Sequence, residues 1–186
     1  MRVAAGIIAP LLFVVAIGRL DLTVYGAFGA FGALTGVYGR MEPHWLRLRH
    51  QAAAGTLMAA SVTVGVALLV VGLSAWGIVA AAAAASGLLS SVADHLRLRP
   101  SGPFFFLFAF TASAAVPYPG CILDAAMTVV GSVVVVLLVG FSGRLHARRR
   151  HPGRGLVEPP RFPAARILKH AGRYLVAVGV AGAGRA

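Results

Sequence analysis

The run QAAAGTLMAASVTVGVALLVVGLSAWGIVAAAAAASGLLSSVA, residues 51–93, decides the fold: it holds no charged side chain. One membrane-spanning helix needs about 20 apolar residues, within a range of about 17–25, so the run is too long for one span. Gly72, Ser74 and Gly77 fall near its middle. Those residues punctuate helices, which predicts a helical hairpin of about Ala52–Leu73 and Ala75–Val92 with an almost uncharged turn. A soluble core of this size cannot hide so much apolar surface. The stretch belongs in a membrane.

Composition agrees. Of 186 residues, 59% are hydrophobic and 12% charged, and the mean hydropathy is +0.84. Soluble domains average about 45–50% apolar and about 25% charged. The 17 Lys and Arg outnumber the 5 Asp and Glu, giving a net charge of +12. Such an excess often marks nucleic-acid binding. Here the bases border apolar runs, where they mark the cytoplasmic side of a membrane, so no nucleic-acid partner is expected. The single cysteine, Cys121, excludes an internal disulfide and any CxxC motif.

Working outward, Val3–Gly18 is uncharged between Arg2 and Arg19 and reads as a first span rather than a signal peptide, because equally apolar runs follow it. Leu22–Gly39 gives the second span, ending at Arg40. The hairpin supplies the third and fourth. A fifth starts at Pro103, which suits the first turn of a helix, and is interrupted by Pro117-Tyr118-Pro119-Gly120. Ile122–Phe141 is the sixth. The loops after the even spans hold Arg40, Arg47 and Arg49, then Arg97 and Arg99, then Arg144, Arg148, Arg149 and Arg150, whereas the odd loops hold only Arg19. The positive-inside rule then puts the N-terminus and the even loops in the cytoplasm.

The expected fold is therefore an all-α polytopic transmembrane bundle, with a six-helix domain over residues 1–143. A basic cytoplasmic segment, 144–173, carries Pro152, Pro159, Pro160 and Pro163 and suits contact with anionic headgroups, at about 1 kcal/mol per basic residue near the surface. Residues 174–186 turn apolar again, too short to span. With the basic stretch before them they read as the start of a seventh helix opening a truncated second repeat, or as a short interfacial anchor.

Candidate sites are few. Span two carries Gly29, Gly32 and Gly36, and Gly32-x-x-x-Gly36 fits the small-residue motif that lets helices approach closely. Asp124, at the start of span six, either favours its helix dipole or takes part in proton-coupled transport, in which case Asp124→Asn reduces flux without changing folded yield. Thr111 and Ser113 precede the proline break, and broken helices often mark transport sites. Arg19 and Asp21 read as a screened pair among the headgroups. His44, His50, His95, His146 and His151 lie in basic segments without acids at metal-ligand spacing, so no metal and no cofactor is expected. No P-loop, nucleophile elbow or dinucleotide fingerprint is present, and the acids are too few for paired-carboxylate chemistry, so no enzyme is expected.

Three stretches resemble the fusaric acid resistance (FUSC) family of inner-membrane proteins, which includes aromatic acid exporters. They are Ala27–Leu34 running through Tyr38-Gly39-Arg40-Met41-Glu42-Pro43 and Arg47-Leu48-Arg49 to Gly55-Thr56; Pro103-Phe104-Phe105-Phe106 through Pro117, Pro119 and Gly131; and the basic stretch Arg161–Arg173 entering a new apolar helix. The resemblance implies paired six-helix bundles that move organic anions, often aromatic carboxylates, out of the cytoplasm across the inner membrane. The arginine that often precedes the family's Gly-Thr pair is replaced by Ala52, with Arg49 the nearest before it. On this reading Arg40, Arg47, Arg49, Arg97 and Arg99 attract the anion at the inner mouth, Tyr38 and other aromatics pack its ring, and Asp124 and Thr111 complete a substrate path. A homodimer, or pairing with a second six-helix unit, replaces the missing half. The competing expectation is a membrane scaffold or assembly protein with a dry centre.

Overall fold

The uncharged run folds as two successive helices joined by a tight turn, and each packs chiefly on other helices rather than on its neighbour. In the computed structural model of the chain, the described residues are Leu12, Ala16, 23–39, 42–117, 120–147 and 163–184. Apart from Leu12 and Ala16, the predicted first span lies outside them, as do Arg19, Asp21, Arg40 and 148–162 of the basic segment. The described residues form α-helices and no strand: α1 Thr23–Leu34, continued by a 3-10 turn Thr35–Val37; α2 His44–Val71; α3 Ala75–His95; α4 Phe104–Ala115; α5 Ile122–Ala147; and α6 Ala164–Ala183.

The hairpin is α2 and α3. Gly72 ends α2 in the left-handed conformation at φ 70°, and its N–H bonds Leu69 O at 3.1 Å while Leu73 N bonds Leu68 O at 3.3 Å. This pairing satisfies the last carbonyls of the helix and needs a residue without a Cβ penalty. Ser74 then caps α3, its hydroxyl accepting from Gly77 N at 3.3 Å. The protein's two tryptophans sit at opposite ends of the hairpin, Trp45 and Trp76, both exposed. From Trp45 to Val71 the helix rises about 39 Å, close to the roughly 40–45 Å between headgroup layers. That is where aromatic belts form.

Two boundaries differ from the sequence reading. α2 begins at His44 rather than near Ala52, because nothing between Pro43 and Ala52 breaks a helix once Pro43 has set its entry. Arg47 and Arg49 therefore lie on the first turns of α2, not in a loop. α4 has only 12 residues, about 18 Å, against a hydrocarbon layer about 30 Å thick. Its limits are the prolines: Pro103 before it, and Pro117, which pushes Val116 into extended geometry (ψ 120°).

Three helices are long and apolar enough to cross a membrane: His44–Val71, Ala75–His95 and Ile122–Ser142. Thr23–Val37 and Phe104–Ala115 are apolar but shorter. α2 packs against α4 and α5, α1 against α5, and α3 lies between α4 and α6. Phe28, Met58, Val62, Phe106, Ala109 and Val129 fill the core. Small residues permit this closeness. A Cβ on Gly32 would meet Ser132 Cβ and Val129 O at 2.7 Å, and one on Gly65 would run into the Phe110 carbonyl.

α6 begins ten residues before the apolar stretch that the sequence marks from Tyr174. It follows α3 antiparallel: His170 lies beside Asp94, while Leu175 borders Gly87, Gly179 borders Ala83 and Gly182 borders Val79. These contacts run along α3.

Candidate functional site

The turn between α1 and α2 carries the densest polar network among the described residues. Gly39 has φ 66°, and a Cβ there would meet Glu42 Oε2 at 2.9 Å and Arg47 Cα at 3.1 Å, so only glycine fits. Its N–H donates to Arg99 O at 3.2 Å, tying this turn to the 96–103 loop, and its carbonyl accepts from Glu42 N at 3.0 Å. The Glu42 carboxylate meets His50 Nδ1 at 2.5 Å, and Arg47 Nη2 donates to His44 Nδ1 at 2.9 Å.

Tyr38 sits beneath this turn and is fully buried. Its ring stacks on Phe106, with centroids 5.5 Å apart and planes 15° apart, and meets Phe105 edge-on at 6.3 Å. Its hydroxyl has no hydrogen-bond partner among the described residues, a costly state for a buried polar group. The same place holds the start of α4. Leu107 N, bonded to Pro103 O at 2.7 Å, is the first amide of α4 with an acceptor. No side chain caps the helix, and no described residue offers an acceptor to the amides of Phe104, Phe105 or Phe106. Pro103 and Phe106 are themselves buried. A helix N-terminus carries partial positive charge; here the first residue, Phe104, is exposed.

The residues singled out from the sequence divide. Tyr38 belongs to this place. Arg40 lies outside the described residues, and Arg49 is exposed on the second turn of α2. Thr111 is half-buried and bonds back to Leu107 O at 3.0 Å, the usual structural use of threonine in a helix. Asp124 is exposed, and its carboxylate accepts from Cys121 N at 3.2 Å, within its own first turn. Gly140 of α5 lies against Leu48 and Gln51, and Asp124 is about 24 Å farther along that helix. Asp124 is therefore not brought to Tyr38. Of the glycines, Gly32 makes the close approach, to α5, and Gly29 supplies the carbonyl that accepts from Ser132 Oγ at 2.6 Å. Gly36 falls in the 3-10 turn beyond the end of α1, so the Gly32–Gly36 pair does not form one helical face.

Three polar features were not anticipated. The Glu42–His50 pair needs the reversal at Gly39, which residue spacing does not reveal. Asp94 is 6% exposed and lies 3.3 Å from His170 Nδ1; Ser86, Ser90 and Asp94 recur at helical spacing on α3, a readable signal. Gln51 is buried, and its Oε1 has no partner among the described residues. Among the described residues, no three His, Cys, Asp or Glu side chains are grouped so as to hold a metal ion. Comparisons with protein-family models, curated proteins and solved structures give no match to this chain.

Proposed function

We propose that the chain is a multi-pass inner-membrane transporter that moves small organic anions, aromatic carboxylates among them, out of the cytoplasm. The observation that carries this reading is α4: a short apolar helix without a side-chain cap, ended by Pro117 and opening from a loop held to the neighbouring turn through Gly39 and Arg99. Irregular backbone at membrane depth is tolerated where it lines a path or is buried in protein. Half-length helices that aim their N-termini at anionic groups recur in transporters. Arg47, Arg49, Arg97 and Arg99 all lie toward this end, which the positive-inside rule assigns to the cytoplasm, and they raise the local concentration of anions there. On this reading Val3–Gly18, α1 with its 3-10 turn, and α2 to α5 are the six spans, and a second copy or a second six-helix unit completes the assembly, as the FUSC resemblance implies.

A scaffold reading draws on Asp124 and Thr111, both of which spend their polar groups within their own helices. Accumulation separates the two. Cells expressing the chain should retain less labelled 4-hydroxybenzoate than cells carrying an empty vector; equal retention with the protein present in the membrane favours the scaffold.

A further inference from the structure

We infer that α6 is a pH-sensitive strap, held across the end of α3 and the 96–103 loop by the His170–Asp94 pair. This is independent of what the bundle transports. α6 packs on α3 and on no other helix to a comparable extent, and only Ala171 of its 20 residues is buried. The seam is made of small residues, Gly87 facing the Ala171 carbonyl and Gly179 facing Ala83. So thin a seam leaves a large share of the hold to polar links. On α3, Ala83, Gly87 and Asp94 recur at helical spacing and share the face that α6 covers. Asp94 is the sole acid on either helix, is 6% exposed, and lies 3.3 Å from His170 Nδ1. One turn farther along α6, the Tyr174 hydroxyl lies over Gly102, where a Cβ would meet it at 2.9 Å. Gly102 belongs to the loop that opens α4, and Arg99 O of the same loop accepts from Gly39 N. The strap therefore bears on the backbone that ties α3, α4 and the α1–α2 turn together.

The other charged or titratable groups around the pair are Arg166, Lys169, Arg173 and Tyr174 on α6, His95 on α3, and Arg97 and Arg99 in the loop; α4 brings none. Asp94 is the single acid among them. Histidine changes charge between about pH 5 and 8. Protonated, His170 makes a charge-assisted pair with the buried carboxylate; neutral, it leaves that carboxylate without a counter-charge, which is costly. The strap is thus held at low pH and loosens as pH rises through this range. Spin labels on Leu88→Cys of α3 and Val176→Cys of α6, both exposed positions, report the spacing of the two helices in a Cys121→Ser background. The measurement is double electron–electron resonance on the full chain in nanodiscs, at about pH 6 and about pH 8. A narrow spacing is expected at the lower pH. At the higher pH the separated population should be about three-fold larger or more, the order expected when a half-exposed hydrogen bond loses its charge. His170→Lys keeps the charge and should hold the narrow spacing at both pH values, whereas His170→Gln should show the separated population at both. A wild-type spacing that does not change with pH overturns the strap, and so does a pH response that survives in His170→Gln.

Discussion

A carboxylate at the start of a helix can serve the helix or a ligand, and Asp124 has a partner within its own helix start. Its side chain accepts from Cys121 N, so Asp124→Ala should cost about 1 kcal/mol, the usual worth of such a cap. Asp124→Asn keeps an acceptor and should unfold close to wild type in a detergent melt. Flux through the Asn variant then isolates the charge: an unchanged rate removes Asp124 from transport. At this scale the sequence was only partly legible. It marked Asp124, Thr111 and Tyr38 as polar groups in apolar surroundings, but it could not say which already had partners. The fold supplies Cys121 N for Asp124 and Leu107 O for Thr111, and for Tyr38 none among the described residues.

Among elements, contacts that depend on missing side chains give the clearest tests. Gly32→Ala places a methyl against Ser132 Cβ and the Val129 carbonyl, and Gly65→Ala places one against the Phe110 carbonyl. Backbone cannot retreat as a flexible side chain does, so each should destabilise by roughly 1–3 kcal/mol. Gly131→Ala on α5 meets nothing within 4 Å and should be stabilising by roughly 0.5–1 kcal/mol, the helix preference of alanine over glycine. Thermal unfolding of the three variants in one detergent should show opposite signs, and equal shifts would contradict the packing of α1 and α4 on their neighbours. The hairpin was legible because charge absence and the Gly72–Ser74 punctuation coincide there. The length of α4 was not, since its prolines were read as marking a span when the residues between them reach only part-way. Nor was the start of α6, because its basic first turns look like a cytoplasmic segment until α3 provides a surface for them.

For the whole molecule, the arrangement to test is α6 against α3. Ala83 Cβ lies 3.7 Å from the position a Cβ would take on Gly179, within the roughly 3.5–4.5 Å that a disulfide requires. With Cys121→Ser as background, Ala83→Cys with Gly179→Cys should lose its free thiols under mild oxidant, whereas Leu88→Cys with Gly179→Cys should keep them, because Leu88 is exposed away from that contact. Free thiols in the first pair would detach α6 from the bundle. The larger claim, proposed above, is that this bundle carries an organic anion across the membrane. The most direct measurement is flux of radiolabelled 4-hydroxybenzoate through proteoliposomes containing the full chain, set against empty vesicles. Saturable flux above the empty vesicles is the predicted result; flux equal to theirs, from folded and correctly inserted protein, contradicts it.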